Sequence, residues 1–118
     1  WFADDNIYFL VGNNGLAYNY YGLTWADSWF HIVGVYDGTQ SANADEAKIY
    51  VNGVNQTVNA GAVPDTISST DINIIIGSLQ NYSGYADGKF GSFRLYNRSL
   101  SAGEVLQNYN ATKDRYTN

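Results

Sequence analysis

The sequence contains no cysteine and no methionine. Without Cys there is neither a disulfide framework nor a thiolate metal site. That alone does not fix a compartment, because many extracellular sandwiches lack disulfides. Without Met the chain does not open on its own initiator, so Trp1 is expected to be an internal point of a longer polypeptide. Positive charge is scarce: six Lys and Arg stand singly against eleven Asp and Glu, for a net charge of -5. With a pI near 4.4, this argues against nucleic acid or anionic membrane as the main partner. No apolar run approaches the roughly 18 residues that cross a bilayer, so membrane insertion is not expected. There is no signal-peptide pattern. Proline occurs once, at Pro64, histidine once, at His31, and glutamate twice, at Glu46 and Glu104.

What is present points to strands. The 118 residues suit one domain, and at 45% hydrophobic and 16% aromatic they can bury a core. Eleven Tyr and five Phe against 14% charged residues favour β structure. "NIYFLVG" (6–12) and "LAYNYY" (16–21) flank "NNG" and read as a hairpin. "SWFHIVGVYDG" (28–38) is apolar on both faces, the mark of a strand covered on both sides. "TQSANADEA" (39–47) is polar and reads as a loop. "KIYVNGVNQTV" (48–58) is a second hairpin centred on Asn52-Gly53, and strands are expected over Ile72–Ser78 and Lys89–Asn97. About seven short strands with turns between them predict a sandwich and not a β-α-β sheet.

The chain ends differently. Ser101 and Glu104 form the Ser-x-x-Glu capping box, with Leu100 and Val105 placed as a hydrophobic staple. Ala102, Val105, Leu106 and Tyr109 make one apolar stripe, and Lys113 and Arg115 fall where the helix dipole favours cations. A short closing helix is expected, with Glu104 spent on its cap.

Three pieces of this pattern resemble the laminin G-like, or concanavalin A-like lectin/glucanase, jelly rolls: "WFHIVGVYDG" (29–38), "KIYVNG" (48–53) and the stretch from "IIIGS" to "KFGSFRLYNRSLSAGEV" (74–105). Their order and spacing agree with that family from Ile7 onward. The resemblance implies an all-β fold: an antiparallel β-sandwich of jelly-roll type with a short C-terminal α-helix, as a single domain over residues 1–118. Such domains usually have further strands before the hairpin. Either this one is minimal or those strands lie outside the chain, which would leave a sheet edge open to other copies or chains of an assembly. The ending at Tyr109–Lys113 is similar to laminin G-like domains in virion or surface proteins of bacterial viruses, implying an extracellular or virion-surface location.

The family's glucanases carry a Glu-x-Asp-x-x-Glu strand, and glycoside hydrolysis needs two carboxylates across the scissile bond. With Glu46 in the polar loop and Glu104 in a cap, no enzyme is expected. His31 has no Ser or Cys partner in a nucleophile motif and reads as a strand residue of the family pattern. The resemblance makes calcium the metal to consider, with Asp4, Asp5, Asn6, Asp37, Asp45, Glu46, Asp71 and Asp87 as oxygen carriers. No Asp-x-Asp-x-Asp-Gly loop gathers them, and Asp37-Gly38 and Asp87-Gly88 read first as turns. Among the aromatics, Tyr18 and Tyr20 share a strand face with Leu16. The loop residues Trp25, Tyr82 and Tyr85 are the better candidates for stacking on a sugar or meeting a partner. Asn55, Asn81, Asn97 and Asn110 head N-glycosylation sequons. The expected function is recognition, decoration or adhesion on a virion or secreted structural protein, through a glycan or a protein partner. The alternative is a carbohydrate-binding module, calcium-dependent or not, of a secreted glycoside hydrolase.

Overall fold

A computed structural model describes residues 2–3, 6–11, 17–22, 28–58, 61–67, 76 and 88–116. In chain order these form β1 (Phe2–Ala3), β2 (Asn6–Val11), β3 (Ala17–Gly22), β4 (Ile32–Tyr36), α1 (Asn43–Glu46), β5 (Ala47–Val51), β6 (Val54–Asn55) and α2 (Ala102–Asn110). A 3-10 turn at Lys113–Arg115 follows. The strands make two antiparallel sheets of order β1-β2-β3 and β4-β5-β6.

Alternation along β2 places Ile7, Phe9 and Val11 on one face, and Ile7 and Val11 are buried. That face meets the second sheet. Ile7 packs with Ile49 and Val51, Val11 packs with Ala47 and Val63, and Phe9 touches both groups. The closest approach is at Gly34, where an added Cβ would lie 2.6 Å from the Phe9 ring. A side chain there would drive the sheets apart.

The other face of the second sheet is equally occupied. Val33 and Val35 of β4 and Tyr50 of β5 gather with Leu100 and Val105 at the start of α2. The β4–β5 pair is therefore the middle of three layers, as its two-faced apolar pattern predicted. The second hairpin also forms where expected. Asn52 and Gly53 have φ of 51° and 81°, the paired positive values of a type I′ turn. Asn52 fastens this turn to the start of β4: its Oδ1 accepts from the His31 N–H at 3.0 Å, and its own N–H donates to the His31 carbonyl at 2.8 Å.

Several expectations need correction. The two-residue β1, paired Phe2↔Ile7 and Ala3↔Asn6, precedes the first hairpin. The polar stretch 39–47 is not all loop: it contains the single-turn α1, and Ala47 already belongs to β5. β6 stops at Asn55. Residues 89–97 form no strand with the other described residues. Among the described residues no backbone ladder reaches them, and side chains anchor them instead. Arg94 Nη1 donates to Asn108 Oδ1 at 3.2 Å, Asn108 Nδ2 donates to Tyr96 Oη at 3.1 Å, and the Tyr116 ring stands over Gly91. Phe90, Phe93 and Leu95 are consequently exposed. The "NNG" turn and, apart from Ile76, the strand expected over 72–78 lie outside the described residues.

The helix begins as its cap dictates. Ser101 Oγ accepts from the Glu104 N–H at 3.2 Å, and Glu104 Oε2 accepts from the Ser101 N–H at 2.9 Å. Leu100 and Val105 are both buried in one cluster, completing the staple. The apolar stripe is narrower than expected, for Val105 is fully buried whereas Leu106 is exposed. The far end differs too. Thr112 is buried and returns its hydroxyl to the Asn108 carbonyl at 2.9 Å, and its N–H donates to the Tyr109 carbonyl at 3.0 Å. These bonds satisfy terminal carbonyls and stop the helix at Asn110, so Lys113 and Arg115 lie beyond its last turn.

Candidate functional site

Where β4 and β5 pass beneath the start of α2, a groove of about 470 Å³ opens. Strand alternation brings Lys48 to the same sheet face as Val35, and the capping box brings Glu104. Arg98 closes the wall. Its guanidinium grips Glu104 with two bonds, Nη2 to Oε1 at 2.6 Å and Nη1 to Oε2 at 3.0 Å. Across the groove Lys48 Nζ lies 3.6 Å from Asp45 Oδ1. Asp37 is turned into its own loop: Oδ1 accepts from the N–H and hydroxyl of Thr39, and Oδ2 from Gln40 Nε2. This is an Asx turn.

These pairings lower both groove carboxylates for which a shift is evident, Glu104 and Asp37. Arg98, with the Ser101 N–H, holds the Glu104 carboxyl down at about 2. Bonds from Thr39 and then Gln40 lower Asp37. A general acid for glycoside hydrolysis needs the opposite, a carboxyl kept protonated near neutrality. The groove also lacks the mostly apolar lining of a small-molecule pocket.

The double use of Glu104 has a measurable consequence. A depressed folded-state pKa contributes stability that is fully present above the ordinary Glu value of 4.5 and is lost as pH falls from there through about 2. Glu104→Gln should lose that acid dependence while keeping the helix. Ser101→Ala should cost about 1 kcal/mol at neutral pH. Urea unfolding followed by circular dichroism, at neutral pH and in acid, checks both. An unchanged acid slope in Glu104→Gln would show that the Arg98 pair contributes nothing in solution.

His31 stays a structural residue in the described geometry. Its ring centroid is 5.8 Å from that of Tyr109 on α2, and Nδ1 is buried with no hydrogen-bond partner. Burial, and then the nearby Arg94 charge, lower its pKa. Glu46 is not the loop acid expected from the sequence; it is 3% exposed.

The residues favoured for ligand contact, Trp25, Tyr82 and Tyr85, all lie outside the described residues. So do Asp4, Asp5, Asp71 and Asp87 and the sequon at Asn81. Asn55, Asn97 and Asn110 are exposed, the last as the final residue of α2. Among the described residues no three of His, Asp and Glu converge as metal ligands. Asp37 and Asp45 are committed to their own turn and to Lys48, so this part of the chain does not fit a calcium ion. Among the described residues no helix is long and apolar enough to cross a membrane. Sequence reasoning missed Arg98, whose separation from Glu104 matches no helical spacing, and Lys48, which looked like an ordinary strand start.

Two antiparallel sheets closed by a capped helix make an all-β sandwich, and the comparison places it in a family. The family model of the concanavalin A-like lectin/glucanases superfamily, of laminin G type, matches residues 1–106. The chain belongs to that family. The match reaches back to Trp1, beyond the resemblance visible from Ile7 onward. Among solved structures the chain is similar to residues 221–444 of an S-layer domain-containing protein from Clostridium thermocellum, with a TM-score of 0.52 and 20% identity. That alignment covers 80% of this chain and 52% of the other, so the chain spans about half the length of that 221–444 segment. No curated protein matches.

Proposed function

We propose that the domain is a non-enzymatic recognition, decoration or adhesion module of a secreted or virion structural protein, displayed on an extracellular or virion surface. The observation that carries the non-enzymatic part is the state of the acids. Glu104 is bound by its cap and Arg98, Asp37 by its turn and Asp45 by Lys48, while Glu46 is buried. None of the four is an exposed, unpaired carboxyl facing a substrate cleft. Family membership supports ligand recognition, since the superfamily's description names lectins. The S-layer neighbour supports surface display by likeness of fold.

The ligand contact is assigned to the loop aromatics Trp25, Tyr82 and Tyr85, whose flat rings suit stacking on a pyranose or burial against a protein partner. The jelly-roll form of the sandwich and pairing with other copies or chains belong to the same reading. Calcium is not required by it. On a glycan array the protein should show saturable binding that drops at least tenfold in Trp25→Ala, Tyr82→Ala or Tyr85→Ala. Undiminished binding in all three would remove the assignment of the site. Release of reducing sugar from any bound glycan would overturn the non-enzymatic reading.

A further inference from the structure

The described charges are sorted toward two ends of the β4–β5 pair. At one end Tyr36 faces Ala47 in the ladder, and at the other Ile32 faces Val51. Helix α2 runs between the same two ends. Its N-cap Ser101 borders the groove beside Asp37 and Asp45, whereas Tyr109 lies over the hairpin tip at Gly53. Five strand residues and nine helical residues both give a separation of roughly 13–16 Å.

The Tyr36–Ala47 end is acidic. Asp37 and Asp45 flank it in sequence, and Asp65 joins them, with its backbone carbonyl resting over Gly38. The cations here, Lys48 and Arg98, are taken by Asp45 and Glu104. Among the described residues these are the only ion pairs, so neither Asp37 nor Asp65 has a cation paired to it. Ile67, two residues past Asp65, is more than half exposed.

The Ile32–Val51 end is basic. Arg94 is bonded to Asn108 beside Tyr109, and Lys113 Nζ stands 5.9 Å from the centre of the Tyr109 ring. Arg115 follows on the same exposed turn, and the next residue, Tyr116, meets Trp29 just before β4 with ring centroids 5.1 Å apart. Asp114 is the acid of that turn, so three cations stand with one anion, and none of the three is in an ion pair with a described residue. An apolar strip runs alongside. The Tyr116 ring covers Gly91, while Phe90, Phe93 and Leu95 are each more than half exposed. Apolar side chains grouped in this way and rimmed by charge mark a contact surface.

The two ends cannot satisfy each other within one molecule. Their separation exceeds the screening length of about 8 Å at physiological ionic strength. A two-fold contact would set the same patch against itself, cation facing cation. Only the opposite end of a neighbouring copy offers each patch the complementary sign.

We propose that the domain associates head to tail with copies of itself: the end bearing Arg94, Lys113 and Arg115 seats on the end of the next molecule bearing Asp37, Asp45 and Asp65. The inference rests on the proposed reading in which the domain pairs with other copies, and it names the surfaces that meet. Phe90, Phe93 and Leu95 on one side and Ile67 on the other supply the adhesion. The charges set direction and encounter rate, since exposed ion pairs contribute little each. Because the two ends point apart, the contact does not close a pair and repeats in one direction.

Sedimentation velocity of the 118-residue protein over a range of concentrations tests this. At low salt the average mass should climb with concentration past the dimer. Salt at about 1 M, where the screening length is about 3 Å, should reduce that climb. Lys113→Glu with Arg115→Glu, and separately Asp45→Lys with Asp65→Lys, should each weaken self-association about tenfold or more. Mixed one to one, the two reversed proteins present matching ends again, and growth past the dimer should return. Phe93→Ser with Leu95→Ser, at exposed positions, should weaken association as well and covers the case in which a reversed variant does not fold. A monomer at every concentration, a wild type that stops at the dimer, or a mixture no more associated than its parts would overturn the head-to-tail contact. A monomer that still binds on the glycan array overturns this inference alone and leaves the recognition reading standing.

Discussion

Ile49→Ala is expected to destabilise the protein by about 2–5 kcal/mol, because the replaced side chain is completely buried and the cavity cannot collapse from either side. Ile49 stands in the central strand β5, opposite Gly34 in the ladder, with Ile7 and Phe9 of the first sheet against it. Each approach is already fixed by another contact, since Phe9 is seated over Gly34 and Val51 is clustered with Ile7. A domain of this size loses roughly 4 °C in Tm per kcal/mol, so the midpoint should fall by about 8–20 °C. Ile49→Val removes one methylene and should cost only about 1 kcal/mol. Calorimetry on the pair decides the matter. An alanine variant within 1 kcal/mol of the wild type would mean that the two sheets do not meet at Ile49.

Gly53→Val should lower stability by about 2–3 kcal/mol. Gly53 has φ of 81°, where an L side chain is strained by about 1–2 kcal/mol and a β-branched one by more. Space adds to the cost. A Cβ there would come within 2.9 Å of Leu106 Cδ1 and 3.1 Å of Tyr109 Cδ1, so the hairpin tip lies directly under α2. Gly88 provides the control, because among the described residues nothing lies within 4 Å of its would-be Cβ. Gly88→Val should change stability by no more than about 0.5 kcal/mol. Denaturant unfolding of the two variants reads the difference. Equal costs would separate the hairpin tip from the helix.

The features legible in the sequence are those in which one local chemistry has one solution. Asn52-Gly53 could hardly be anything but a primed turn, Ser101-x-x-Glu104 a capped helix start, and the two-sided apolar run around Val35 a covered strand. Illegible features depended on partners distant in sequence. Glu46 stood among Asn, Asp and Ala, and nothing nearby told that the chain folds it inward. Residues 89–97 carry strand-like composition, and among the described residues it is side-chain bonds from Arg94 and to Tyr96 that tie this stretch to Asn108. Leu106 fits the helical stripe by period, yet it stays exposed over the hairpin tip at Gly53. The proposed ligand residues come from composition and loop placement alone, since Trp25, Tyr82 and Tyr85 fall outside the described residues.

The three-layer arrangement also bears on how the molecule assembles itself. The β4–β5–β6 meander closes through contacts no more than about twenty residues apart, such as Ile32↔Val51, so it can form early and quickly. Its second face must wait for Leu100 and Val105, roughly fifty residues further along the chain. During synthesis, Val33, Val35 and Tyr50 therefore emerge from the ribosome well before their cover exists. The capped helix then acts as a late-arriving lid on nascent sticky surface. Its strong start signal serves folding fidelity as much as the stability of the finished domain.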